Sequence, residues 1–111
     1  MPVAVTVLYP NVSDATFNLE YYLSTHMPLV EKEFGPHGLK GWKVARILGT
    51  ATGEAAPYSI QCTLEYNAKE EFEASVKNAA GPVLGDVSNF SNKEPIFLVG
   101  EVVGTSNKAK L

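Results

Sequence analysis

Tyr58-Ser59-Ile60-Gln61-Cys62-Thr63-Leu64-Glu65-Tyr66-Asn67-Ala68-Lys69-Glu70 holds a strand, a stop and a helix start in direct succession. Tyr58, Ile60, Cys62, Leu64 and Tyr66 alternate with Ser59, Gln61, Thr63 and Glu65, the period of a strand with one face in a core. Asn67 offers a side-chain oxygen to the first amides of a helix, and Glu70 completes a capping box. The helix that follows turns Phe72, Val76 and Ala79 or Ala80 inward. Gly81-Pro82 is expected to stop it, with Pro82 opening a short second helix through Val87.

The rest of the chain is read outward from there. Leu39 to Leu48 is a strand after a turn at Gly38, and the small residues of 49–57 make a loop. Phe17 to Phe34 is a long helix, because Leu19, Leu23, Met27, Val30 and Phe34 form one stripe at helical spacing. Asp14 or Thr16 caps its start, and Gly35-Pro36 ends it. Pro28 lies inside it and has no N–H for the Ser24 carbonyl, so a kink or restart is expected near His26-Met27. Val3 to Tyr9 is the first strand and Ile96 to Val103 the last. The polar residues 105–111 are expected to fray beyond a single domain of residues 1–104. The order β-α-β-β-α-β predicts an α+β, ferredoxin-like fold with an antiparallel four-stranded sheet and both helices on one face.

The first and last strands are apolar on both faces, with Val3, Val5 and Val7 against Ala4 and Leu8, and Ile96 and Leu98 against Phe97 and Val99. Two helices cover one face only. A homodimer packing sheet on sheet would cover the other; the alternative is a monomer whose strands are simply rich in valine.

The 111 residues carry 45% hydrophobic and 19% charged side chains, the balance of one globular domain rather than a disordered chain. No apolar run approaches the ~18 residues of a membrane span, so no membrane partner is expected. A net charge of −3 with scattered basic residues argues against nucleic acid. One cysteine, Cys62, and an opening without a basic stretch or cleavage site point to the cytoplasm. Two histidines without HxxxH or CxxC spacing offer no set of metal ligands, and no cofactor is expected.

His26 is the sharpest candidate. At about 100° per residue it lies between Leu19, Leu23 and Val30 on one side and Tyr22 and Leu29 on the other. Burial there favours neutral imidazole, able to act as a base or donor. The alternative is a core histidine bonded to a backbone carbonyl. Tyr22, four residues earlier on the same flank, can orient or polarise a substrate oxygen. Tyr21 and Tyr22 point about 100° apart, so one can pack while the other lines a cavity. Trp42 and Phe90 can wall a pocket, and Asn89 can cap a turn or bond a ligand. Cys62 reads as a small buried hydrophobe and His37 as an exposed loop residue.

Phe17-Asn18-Leu19-Glu20-Tyr21-Tyr22-Leu23-Ser24-Thr25-His26-Met27-Pro28-Leu29, after Val7-Leu8-Tyr9-Pro10, resembles the EthD family motif of a Tyr-Tyr pair followed by His-x-Pro-Leu. Gly38-Leu39-Lys40-Gly41 and Asp86-Val87-Ser88-Asn89-Phe90 are also similar to that family. The resemblance implies a subunit of a dimeric α/β barrel with a pocket between sheet and helices. The family is named for a protein encoded with an oxidative ether-degrading system. Related barrels include cofactor-independent monooxygenases, polyketide cyclases and muconolactone isomerases. The expected function is binding of a small apolar or aromatic metabolite. An oxidoreductase-associated role in degrading or making organic compounds follows, with His26 as acid/base. A cofactor-independent dehydratase, cyclase or isomerase and a non-catalytic ligand-binding or accessory protein are the alternatives.

Overall fold

The computed structural model describes residues 2–106 of the chain. Strand β1 (Val3–Pro10) leads to a helical segment in three parts: α1 (Leu19–Tyr21), a π turn (Tyr22–His26) and α2 (Met27–Phe34). Strands β2 (Gly41–Arg46) and β3 (Tyr58–Tyr66), helix α3 (Lys69–Gly85), a 3-10 turn (Val87–Asn89) and β4 (Ile96–Glu101) follow. All strand pairs are antiparallel in the order β2-β3-β1-β4, the ferredoxin-like βαββαβ arrangement. Among the described residues no helix is long and apolar enough to cross a membrane.

Alternation decides which residues form the core. Val3, Val5, Val7 and Tyr9 are buried while Ala4, Thr6, Leu8 and Pro10 between them are half-buried. The register sets Val5 beside Leu64 and Val7 beside Cys62, which makes a continuous floor under the helices. Met27, Val30 and Phe34 of α2 and Phe72, Ala79 and Val83 of α3 close over it. Burying each large apolar side chain contributes roughly 1.5–3 kcal/mol.

Several sequence expectations shift. Asn18 caps the first helix through a side-chain oxygen that accepts the Tyr21 amide, rather than Asp14 or Thr16. Asp14 instead pairs with Lys93, and the Thr16 amide donates to Asn92. Helix α3 starts one residue later than Asn67 and Glu70 imply. The Glu71 carboxylate accepts the amides of Asn67 and Ala68, so Glu71 performs the capping. Val76 faces out, and Ser75 is buried in its place because it bonds both the Tyr66 hydroxyl and the Glu71 carbonyl. Pro82 does not stop α3: it lies on the exposed side, where the carbonyl it leaves free can meet water, while Val83 packs inward. Strand β2 is shorter than Leu39–Leu48, and β4 ends at Glu101 rather than Val103. The expectation for 107–111 lies outside the described residues.

Strand β4 departs most from a closed core. Ile96, Phe97, Leu98 and Val99 are 41% to 54% exposed, so neither face of this edge strand is covered within one chain.

Gly38 links the two layers. Its φ of 116° belongs to the left-handed region, and a Cβ there would lie 2.6 Å from the Glu71 carboxyl group that caps α3. Gly38→Ala is expected to destabilise the fold by roughly 1–3 kcal/mol. The check is the urea midpoint, which should fall while the slope is unchanged. An unshifted midpoint would contradict this account of the turn.

Candidate active site

The site begins with Pro28. It cannot donate to the carbonyl four residues back, and it stands in the first turn of α2, where a missing amide hydrogen does least harm. The chain enters α2 through a wider turn, with the Met27 amide donating to the Tyr22 carbonyl five residues back. The kink expected at His26-Met27 is this π turn. One extra residue in the turn lets both His26 and Met27 reach the interior, while Leu23 of the expected stripe is left facing out.

His26 is 3% exposed. Its ring stacks on Tyr22 at 5.2 Å between centroids, and Phe90 leans on it at 4.5 Å. Nδ1 lies 2.9 Å from Oδ2 of Asp86. The other oxygen of Asp86, Oδ1, accepts the Tyr21 hydroxyl at 2.6 Å and the Asn89 amide at 2.8 Å. Asp86 caps the end of α3, far from His26 in sequence. It is held in place because the Asn18 amide donates to the Phe90 carbonyl and Phe17 bridges Ser91. These bonds pin the turn after α3 to the start of the first helix. The histidine partner is therefore a side-chain carboxylate and not a backbone carbonyl.

With Nδ1 taken, Nε2 is the nitrogen left for the cavity that His26 lines. This cavity is small, about 20 Å³, and almost wholly apolar, with Val7, Tyr9, Tyr22, Val30 and Cys62 among its walls. It has room for about one water-sized group. Leu84, Val87 and Phe97 line it too, and they also line a wider surface groove of about 670 Å³.

Burial pushes the His26 imidazole below its ordinary 6.5, against a smaller opposing pull from Asp86. Burial pushes the Asp86 carboxyl up, but its hydrogen bonds from Tyr21, Asn89 and His26 outweigh this and hold it below its ordinary range. At neutral pH the pair is a carboxylate beside a neutral imidazole. The carboxylate accepts Nδ1–H, which fixes the tautomer and leaves Nε2 as an acceptor. Burial raises the Tyr22 and Tyr9 hydroxyls far above the usual phenol range and pushes the Cys62 thiol up to about 11. All three remain protonated.

The structure brings together five of the residues singled out in sequence. His26, Tyr22 and Phe90 meet by ring contact, and Tyr21 and Asn89 join through Asp86. The Tyr22 hydroxyl reaches Tyr9 and Cys62 rather than His26. Trp42 is elsewhere: it sits on β2, and its indole N–H donates to Glu31 on α2. Asp86 and Tyr9 are the site residues that sequence reasoning did not single out. The one signal for Asp86 was its place at the head of the Asp86–Phe90 segment. Among the described residues no group of three or more His, Cys, Asp and Glu comes together as a metal would need.

No protein-family model and no curated protein matches the chain. Solved structures do. An EthD-like protein from Ralstonia eutropha JMP134 is 27% identical over 97% of both chains, with a TM-score of 0.86. An ethyl tert-butyl ether d (EthD) family protein from Bacillus halodurans C-125 is 29% identical over 93% of this chain and 100% of its own, with a TM-score of 0.71. A dimeric ferredoxin-like protein of unknown function from Thermobifida fusca YX, at 13% identity and a TM-score of 0.58, covers 92% of each chain and shares the fold. The chain is thus similar in fold and sequence to both EthD proteins over nearly their full length, as the resemblance of its sequence to that family implied.

Proposed function

We propose that this protein binds a small apolar or aromatic metabolite between sheet and helices and moves a proton at it through His26, beside an oxidative step in the breakdown or synthesis of organic compounds. The observation that carries this reading is the 2.9 Å bond between Asp86 and Nδ1 of a buried imidazole that lines an apolar cavity. A neutral imidazole with its proton fixed on Nδ1 accepts a proton at Nε2, and the adjacent carboxylate stabilises the imidazolium formed. The same equipment serves a cofactor-free oxygenation, a dehydration, a cyclisation or an isomerisation, because each begins by removing a proton from a carbon or hydroxyl. Apolar walls favour an apolar ligand, and the family of the Bacillus halodurans relative is named for ethyl tert-butyl ether, a molecule of that kind.

The test is exchange of α-hydrogens of bound aromatic ketones with solvent deuterium, followed by NMR. His26→Gln should fold and lower exchange by roughly 10²–10⁴-fold. Asp86→Asn should do nearly the same while keeping its bonds to Tyr21 and Asn89. An asparagine NH₂ donates to Nδ1, which moves the ring proton to Nε2 and removes the base. Exchange that persists unchanged in a folded His26→Gln would leave ligand binding without catalysis, the accessory role.

The pH dependence follows from the same pair. The unfolded chain takes up the His26 proton near 6.5, before the folded chain does, so the unfolded state binds more protons as the pH falls below that value. Stability contributed by His26 is therefore complete above 6.5, declines as the pH drops, and levels off once the folded imidazole is also charged. Asp86, held below its ordinary 3.8, adds a second loss when the pH falls through its own lowered range. Chemical denaturation between pH 7.5 and 5, where ~1 pH unit spans most of a titration, should show a downward slope that His26→Gln flattens. A slope unchanged in the variant would remove His26 from this account.

We further propose that two copies of this chain associate over β4. Ile96 and Leu98 share the outer face with Leu8, and Phe97 and Val99 open on the other side, which makes an edge strand too apolar to stay bare. The Thermobifida fusca neighbour, by its description, is a dimer. Sedimentation at micromolar concentration should give twice the chain mass, and Leu98→Glu should shift it to the monomer. A wild-type monomer would sink this reading.

A further inference from the structure

The cavity lined by His26 has a second polar feature that proton transfer at Nε2 does not use. The Tyr9 hydroxyl from β1, the Tyr22 hydroxyl from the π turn and the Cys62 thiol from β3 stand within hydrogen-bonding reach in a row, with Tyr22 in the middle. All three residues line the cavity. The three groups carry three donor hydrogens and make two contacts, so two hydrogens are used inside the row and one is left over. Around them stand Val7, Val30, Phe34 and Leu64, which accept nothing. A leftover donor in such surroundings is costly unless something that enters the cavity takes it. The hydrogens of hydroxyls and thiols rotate freely, so an oxygen entering the cavity selects the direction of the row. A hydroxyl is the better donor than a thiol. The favoured direction runs from Cys62 to Tyr22 to Tyr9, each bond polarising the next, and presents the Tyr9 O–H.

We propose that the Tyr9 hydroxyl is the donor that holds the ligand oxygen, and that the ligand is a small aromatic or apolar molecule carrying a phenol or an enolisable carbonyl. This inference rests on the proposed role of His26 for the second half of its chemistry only. A free volume of about 20 Å³ takes one oxygen substituent and not a ring, so the apolar body of the ligand lies at the mouth formed by Leu84, Val87 and Phe97 and in the groove beyond. With an enolisable carbonyl the C–H bond breaks and an N–H bond forms at Nε2. The electron pair moves into the carbonyl to give an enolate, whose oxygen keeps the Tyr9 hydrogen bond. With a phenol the O–H proton passes to Nε2, and the phenolate oxygen is held in the same way. Neither step needs an oxidant. A phenolate or enolate formed so is electron-rich and is what a subsequent oxidation would consume.

Para-nitrophenol is the probe, because its absorbance reports binding and ionisation separately. Para-nitrotoluene, of similar shape without the hydroxyl, is its control. Wild type should bind the phenol more tightly than the toluene. Tyr9→Phe should weaken the phenol about tenfold and leave the toluene unchanged, the scale of one lost hydrogen bond to a charged oxygen. Tyr22→Phe, which cuts the row at its centre, should reduce the same preference and serves as the second variant if Tyr9→Phe loses its fold. His26→Gln should abolish the ionised spectrum of the bound phenol but keep the preference that depends on Tyr9. A wild type that binds the phenol without ionising it would refute the base and spare the donor. Equal phenol affinity in wild type and folded Tyr9→Phe, no preference over the toluene, or no binding of the phenol would each overturn the proposal.

Discussion

Asp86 receives hydrogen bonds from the Tyr21 hydroxyl, the His26 imidazole and the Asn89 amide, and these donors come from the first helix, the π turn and the turn after α3. A largely buried carboxylate stays ionised only if such donors replace its water. Each bond to a charged group contributes about 1.5–3 kcal/mol, and losing one partner leaves the others around an unsatisfied charge. The end of α3 and the turn holding His26 are thus fixed to each other. The same bonds give His26 its tautomer, so the contact that joins two halves of the fold also prepares the chemistry.

The π turn is the second constraint. Pro28 removes an amide donor, and the backbone answers with a wider turn instead of a broken helix. The wide turn turns Tyr22, His26 and Met27 inward together. A regular helix would place Leu23 and Met27 on one stripe and keep Tyr22 and His26 about 100° away on its flank. Phe17, Tyr22 and Phe90 pack ring against ring with Tyr9, and Tyr22 and Phe90 of this cluster contact the imidazole.

The cavity and the bare strand are neighbours. Phe97 lines the cavity and belongs to exposed β4, and Leu84 lines it from the half-exposed end of α3. The helices cover β1 and β3 but stop short of β4, because α2 and α3 pack on each other above the middle of the sheet. Whatever covers β4 therefore borders the mouth through which a ligand reaches His26.

The order of strands and helices along the chain, the inward face of β3, the proline-driven kink and the burial of His26 were legible in the sequence, because each follows from a local period or a local steric rule. Val5, Val7, Cys62 and Leu64 alternate, Pro28 lacks its hydrogen, and no distant residue alters either fact. The inward faces of the helices were legible only in part: Leu23 and Val76 fit helical periods and point outward, displaced by an extra residue in one turn and by the Ser75–Tyr66 bond in the other helix. Asp86 beside His26, Tyr9 beside Tyr22 and Trp42 away from the site were decided by tertiary structure alone. Each depends on how strands and helix ends far apart in the chain are brought together, through bonds such as Asn18 to Phe90 and the pairing of β1 with β3. Local periodicity determines which face of an element is buried; only the packing of distant elements determines which buried groups touch.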